Sequence, residues 1–356
     1  MNWVHFNTEG EIVFTAVLYI PNRVPYDFYN NYNTRKNEIK LYVRRVLIAE
    51  QHAELIPKYL SFVQGVIDSN DISVNVNRET LQQSKSFKVI NQRVTKKILD
   101  MISEIAAWED VTEDEYEEEL EEDSEEIALM DEEELAKKKE AAKEKLLKER
   151  KERYEKFYEE FGKAIKLGIL EDKTNRKKLA SLSRWHTTKG DGALVSFDQY
   201  IKRMKEVQDQ IYFFSGEDRA VLEKSPLVVG LVRRGYEVLL CDDPIDEYVF
   251  NTLREYEGKN IVNVGKGDFK MPDDGERERK VQKFLTKKYE PYVAFAKKIL
   301  FERVNNVVVS SRLTNEPCVV VADTYGYSSF MDKIQKAQMF NANTDDSPAS
   351  DFKKIL

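Results

Sequence analysis

Apolar and polar residues alternate over Glu11–Ile20 and again over Ile39–Ile48. That two-residue period is the signature of half-buried strands, and Pro21 and Pro25 break the chain between the runs. The two runs are expected to pair with each other, and a helical stretch is expected near Glu54–Gly65. Past Arg78 the period lengthens. Phe87, Ile90, Val94, Ile98, Met101 and Ile105 recur at spacings of three and four, which gives a long helix one buried stripe to lay on the strands. Residues 1–107 therefore read as a first, sandwich-like α/β unit.

The pattern then stops. Residues 109–136 hold 17 Asp and Glu and no Lys or Arg, a density of like charge that forbids burial, so a disordered stretch or loose solvated helix is expected. Lys137–Lys156 is rich in Ala, Glu, Lys and Arg with many opposite charges four apart, which favours an exposed helix continuing through Tyr154, Phe157, Tyr158 and Phe161. Residues 108–150 are thus an acidic, then charged helical insertion.

Periodicity resumes as strands alternating with helices. Ile211–Ser215, Tyr236–Cys241 and Asn260–Val264 are short apolar runs, separated by helical patterns near Arg219–Arg234 and Glu247–Tyr256. Such alternation implies parallel strands with right-handed crossovers, a small three-layer unit within residues 151–272. From Gly275 a Lys-, Arg- and Glu-rich helix leads to strand candidates at Asn306–Leu313 and Cys318–Asp323, a truncated mixed α/β unit over 273–356. The fold class is α/β (α+β) in several units.

Charge changes this picture once. The formal net charge is −8, but without residues 109–136 there remain 56 basic against 47 acidic residues, so the folded body is mildly basic. Its Lys and Arg are interspersed with acids and lack the aromatic-studded patch of nucleic-acid binders, so no nucleic-acid partner is expected. No run of 18 apolar residues exists, so no membrane span is expected. Cys241 and Cys318 read as two buried free thiols, and His5, His52 and His186 form no ligand cluster, so no metal site is expected. Ser215-Gly216 follows a strand but lacks the glycine spacing of a phosphate loop.

The stretch Asn77-Arg78-Glu79-Thr80-Leu81-Gln82-Gln83 carries the candidate chemistry. Asn77 suits a helix N-cap, and Arg78 and Gln82, four apart, would point the same way from the first turn, where exposed amides favour an anion. The bland reading is a surface arginine paired with Glu79 or Asp68. At the other end Tyr327, Phe330, Met331 and Ile334 put large apolar groups on one side of a short helix. That surface suits adaptable contact with unfolded chains if exposed, and domain packing if not.

The strings Ile39-Lys40-Leu41-Tyr42-Val43-Arg44-Arg45-Val46, Pro57–Val63, Gly65-Val66-Ile67-Asp68-Ser69 and Arg78–Gln83 resemble the middle segment of the ATP-dependent 90-kDa heat-shock chaperones. The likeness runs on through Phe161-Gly162, Leu194–Tyr212, Gly235–Glu247 and Ser311–Gln338, and leaves out residues 109 to about 150. Leu99–Ile102, Ser196–Tyr200 and Glu316-Pro317-Cys318 are most similar to the endoplasmic-reticulum paralogue. That implies residence in its lumen, with cytoplasm or another organelle as the alternative.

The resemblance implies a segment cut at both ends from a longer protein that binds ATP and Mg²⁺ in an N-terminal domain; this segment itself would bind neither and would not act as an enzyme. It implies that Arg78, supported by Gln82, reaches the γ-phosphate across the domain boundary, and that Leu47, where the family usually has Phe, lies at the docking surface for that domain. Tyr327, Phe330, Met331 and Ile334 would contact unfolded client proteins, with Tyr327 replacing Trp and Gln335 replacing Met in the family pattern. The parent would be a homodimer and the segment a monomer or weakly self-associating. The competing reading is a non-catalytic scaffold whose charged residues 109–156 recruit partners.

Overall fold

A computed structural model describes residues 1–10, 12–26, 28–52, 55–72, 85–107, 132–271, 275–323, 328–341 and 354–355. It divides into two compact units, Met1–Gly168 and Ile169–Leu356. Each has its own sheet.

The first unit is built on β1 (Asn2–Thr8), β2 (Phe14–Ile20), β3 (Glu38–Val43), β4 (Val46–Ala49) and β5 (Gln64–Ser69), in the spatial order β1-β2-β5-β3-β4. The expected direct pairing of the two alternating runs does not occur. β5 lies between them, antiparallel to β2 and parallel to β3. Among the described residues of the segment expected to be helical near Glu54–Gly65, a 3-10 turn forms at Lys58–Leu60, and Gln64 and Gly65 open the β5 strand. Gly65 permits the insertion, because a Cβ there would collide with the carbonyl oxygen of Val17 on β2.

Alternation sorts the sheet's faces: Phe14, Ala16, Leu18, Ile20, Ile39, Leu41 and Ile67 are buried, while Val17, Tyr19 and Val66 look outward. Against this core lie α1 (Lys85–Ala106), whose predicted stripe from Phe87 to Ile105 is buried throughout, and α2 (Glu132–Glu171). Phe161 of α2 stacks on Phe62 at 4.3 Å, and the Glu160 carboxylate accepts from the backbone N–H of Val24.

The second unit adds α3 (Arg176–Ser181), β6 (His186–Thr187), α4 (Phe197–Arg203), β7 (Gln210–Ser215), α5 (Arg219–Glu223), α6 (Pro226–Arg233), β8 (Leu239–Cys241), α7 (Pro244–Leu253), β9 (Glu255–Tyr256) and β10 (Lys259–Asn263). Its sheet runs β6-β8-β7-β10-β9 with β7, β8 and β10 parallel, as the alternating pattern predicts. Both faces are covered. Tyr212 meets Tyr236 and Phe269 on one side, and the next residue, Phe213, meets Phe250 of α7 at 4.5 Å on the other. Pro226 splits the expected single helix into α5 and α6, since proline starts a helix but cannot continue one.

Beyond residue 275 the charged helix is likewise two, α8 (Glu276–Lys288) and α9 (Glu290–Ile299), with Pro291 opening the second. The two strand candidates that follow shrink to β11 (Val304–Asn306) and a bridge from Ala322 to Lys266; β11 pairs with β12 (Lys354–Ile355). Side chains rather than a ladder hold much of the rest. Arg312 donates to the carbonyls of Lys266 (2.6 Å) and Phe269 (2.9 Å), and Arg234 to that of Ser311 (3.0 Å). The last helix is α10 (Ser329–Asn341).

Candidate functional site

The β3–β4 hairpin turns through Arg44 and Arg45, both with positive φ (50° and 66°), the left-handed geometry a two-residue hairpin demands and that non-glycine residues adopt at a cost. Two bonds hold the tip onto the end of β5: the Arg44 N–H donates to Ser69 O (3.4 Å) and the Arg45 N–H to Asp68 Oδ1 (3.3 Å). Asp68, Tyr42 and Leu47 are register partners across β5, β3 and β4, so they form one row on the outer face. Leu47 is 42% exposed and its neighbour Val46 55% exposed, an apolar edge on solvent.

Where β5 ends, the Ser69 hydroxyl donates to Val13 O (2.9 Å) and the Asp71 carboxylate accepts from Val13 N (2.7 Å). The chain therefore leaves the sheet from a pinned point beside the Leu47 hairpin. Arg78 and Gln82 come nine and thirteen residues after Ser69 in the sequence and lie outside the described residues, as does Tyr327. The arginine tip splits the single expected run Ile39–Ile48 into β3 and β4, and it was not singled out from sequence because no Gly, Asn or Asp marks the turn.

The short amphipathic helix, whose apolar side could be either open or packed, is packed. In α10, Phe330 is 7% and Met331 2% exposed, and Ile334 is half-buried. The helix sits beside α7, with Ser328 Oγ accepting from Met331 N (3.0 Å) at its start. Lys333 Nζ forms an ion pair with Glu217 Oε1 at 2.8 Å.

Other polar groups in this unit are structural. Glu237, buried, receives two bonds from Arg203 (Nε 3.0 Å, Nη2 2.6 Å), and that hydrogen bonding raises the Arg203 pKa. Burial pushes the Tyr200 hydroxyl well above its usual range while it donates to Glu237 O (2.7 Å). The Asp246 carboxylate accepts from Trp185 Nε1 at 3.2 Å, and Glu247 accepts from Ser215. These acids are spent on packing; among the described residues no group of three His, Cys, Asp or Glu is placed to hold a metal ion. Cys241 is buried as expected, whereas Cys318 is exposed because its segment forms no strand. Among the described residues no helix is long and apolar enough to cross a membrane.

The sequence model of the Hsp90 protein family matches residues 1–356. The chain belongs to the Hsp90 family. It is 43% identical over 341 residues to an endoplasmin homologue of Arabidopsis thaliana and 42% identical over 340 residues to one of Hordeum vulgare, covering 95% of this chain in each case. It spans 38% and 39% of the length of those relatives. The solved middle domain of a Plasmodium falciparum heat shock protein superposes with a TM-score of 0.54 at 29% identity, over 74% of this chain and 87% of that one.

Proposed function

We propose that this chain is the part of an ATP-dependent chaperone of the endoplasmic reticulum lumen that completes the nucleotide site of a neighbouring N-terminal domain and contacts client proteins. The observation that carries the reading is the family match across the whole chain together with Arg78-Glu79-Thr80-Leu81-Gln82-Gln83 following a strand pinned beside an exposed apolar edge. An apolar edge at Leu47 suits a domain that docks and releases. An arginine suits the charge that develops on a transferring phosphoryl group, because it stays protonated and grips phosphate oxygens in a planar fork.

ATP and Mg²⁺ belong to the parent in this reading, where they supply the phosphoryl group and neutralise its charge. This chain's contribution is positional: Arg78 is held towards the γ-phosphate and Gln82 steadies it. Residence in the endoplasmic reticulum is supported by the names of the two plant relatives. Client contact through Tyr327, Phe330, Met331 and Ile334 requires α10 to lift from α7, since Phe330 and Met331 are covered while it is docked.

In the longer parent, Arg78→Ala is expected to lower kcat about a hundredfold with ATP affinity little changed, the pattern of a contact made in the transition state. A normal rate would remove Arg78 from the mechanism. The isolated chain is expected to show no inhibitor-sensitive ATP turnover. Deleting residues 109–131, fourteen acids and no base, takes the formal charge from −8 to +6. The chaperone reading expects the parent's ATP cycle to survive this deletion; a scaffold using the charged region would lose its function.

A further inference from the structure

One side of α2 changes character halfway along the helix. Phe157, Phe161 and Ala164 face the core of the first unit and are fully covered. At about 100° per residue, Lys139, Lys143 and Leu146 stand about five turns earlier on that same side (139 to 157, 143 to 161, 146 to 164), and Arg150 falls between them in angle. From Lys137 to Arg153 no residue is buried. The core-facing side of α2 therefore runs on past the aromatic core as a row of cations around one leucine.

The acids of this stretch lie elsewhere on the helix. Glu140, Glu144, Glu149 and Glu152 are each about 80° or more from the centre of the row. Lys145 stands four positions from Glu149, and Lys148 four from Glu144 and Glu152, the spacing at which helical charges pair. At three or four positions within α2, Lys139 and Arg150 have no acid and Lys143 has only Glu140. Below the row, Lys151 reaches Glu155 at 3.9 Å and Arg153 Nη2 donates to Met1 O at 2.6 Å.

The segment joining α1 to α2 has the opposite charge. Residues 109–131 carry fourteen acids and no Lys or Arg, with Tyr116 and Leu120 four apart among them. Both ends are tethered in the same unit: α1 closes at Ala106, next to the buried Ile105, and α2 opens at Glu132. A segment of that length can extend about 75 Å, whereas Lys139 to Arg150 covers about 17 Å of helix. Tethering presents it to the row at an effective concentration of about 1 mM.

We propose that residues 109–131 dock in cis along the Lys139, Lys143 and Arg150 side of α2, with Tyr116 and Leu120 beside Leu146, and that this contact keeps the basic row from other acidic partners. The row is a polyanion site occupied by its own chain, opened when salt screens the contact or a more concentrated polyanion competes. The inference does not rest on Arg78, α10 or the chaperone reading.

The test compares the full chain with a variant of the same length in which the fourteen acids of 109–131 become Gln and Asn. The probe is a fluorescein-labelled peptide of residues 109–131. The neutral variant is expected to bind it, and the full chain at least about tenfold more weakly, because its own segment holds the row. In the neutral variant, Lys139→Glu with Lys143→Glu and Arg150→Glu should lower peptide affinity at least about tenfold. Lys137→Glu with Lys145→Glu and Lys148→Glu makes the same charge change on the opposite side and should lower it less than about threefold. Lys, Arg and Glu are all good helix formers, so helix content by circular dichroism is expected to stay unchanged. Independently, a photo-crosslinker in place of Tyr116 in the otherwise unchanged chain should label residues 139–150 of the same molecule, with a yield that falls as NaCl rises from about 0.05 M to about 0.5 M. No peptide binding by the neutral variant, equal binding by the two chains, equal loss in the two triple variants, or crosslinks to Lys88 and Lys96 of α1 would overturn the proposal. So would crosslinks that join two molecules, because the occupant would then belong to a second copy of the chain.

Discussion

Arg312 extends its guanidinium across the ring of Phe269, 4.9 Å from the ring centre, and donates from Nη2 to the main-chain carbonyl of that same residue at 2.9 Å. The carbonyl of Lys266 takes a second bond at 2.6 Å. One side chain thus ties the extended stretch after β11 to the α/β layer, where a strand ladder is missing. Burial pulls the Arg312 pKa down to about 10, with Asp268 acting in the opposite direction.

Replacing Arg312 by Met should destabilise the second unit by about 2–4 kcal/mol, because two carbonyls lose a charged donor in a covered site. Arg312→Lys should recover only part of the loss, since an ammonium lacks the planar fork and stacks poorly on a ring. Urea unfolding of the three proteins measures this. The folded pKa lies below the unfolded one, so protonation is disfavoured in the fold. Arg312's contribution to stability is therefore flat across neutral pH and rises only as pH climbs beyond about 10. A Met variant that melts like the parent removes the latch.

Gly230 tests the same seam from the other side. It lies inside α6, where Ala would ordinarily stabilise a helix by about 1 kcal/mol. A Cβ at that position collides with the carbonyl oxygen of Arg312. Gly230→Ala is therefore expected to lower stability by about 1–3 kcal/mol, the cost of overpacking against backbone. Denaturation midpoints decide the sign.

Arg203, 39% exposed, forms an ion pair with Glu237, whose carboxylate is 2% exposed. Arg203→Met should cost about 1–3 kcal/mol by leaving that covered carboxylate without its cation, an amount reduced by the solvent that reaches the arginine side. Urea unfolding of the two proteins measures this.

α10 is held by burial more than by charge. Met331→Ala should cost about 2–4 kcal/mol of local stability, whereas Lys333→Ala, in an exposed pair with Glu217, should cost under about 1 kcal/mol. Amide hydrogen exchange over residues 329–336 compares the two directly. Equal effects would mean that the ion pair, not the covered Met331 and Phe330, sets the docking.

Periodicity carries far in some elements and fails in others for identifiable reasons. The stripe of α1 was legible from its helical period, and the β7, β8 and β10 strands from short apolar runs spaced by helical patterns, as strands covered on both faces require. The Gln64–Ser69 strand escaped notice because Gln-Gly-Val-Ile-Asp-Ser has only two apolar side chains and no decisive period, and its place between β2 and β3 is a long-range choice. Leu47 was pointed to only by the family resemblance, and the left-handed Arg44-Arg45 tip beside it contradicts turn preferences and needed the hydrogen bonds to Asp68 and Ser69 to make sense. Phe330 and Met331 show the limit most plainly, since an amphipathic helix looks the same whether its apolar side is covered or open.

Residue order alone determined the alternation of strands and helices, the acidic stretch that interrupts it, and the family likeness in strings such as Ile39–Val46 and Arg78–Gln83, because these rest on local period, charge and composition. Tertiary structure alone decided that β5 divides β2 from β3, that α10 is docked, and that Arg312 replaces a missing ladder. Those outcomes depend on which of several chemically equivalent surfaces meet, a competition settled by close approach and burial between residues far apart in the chain.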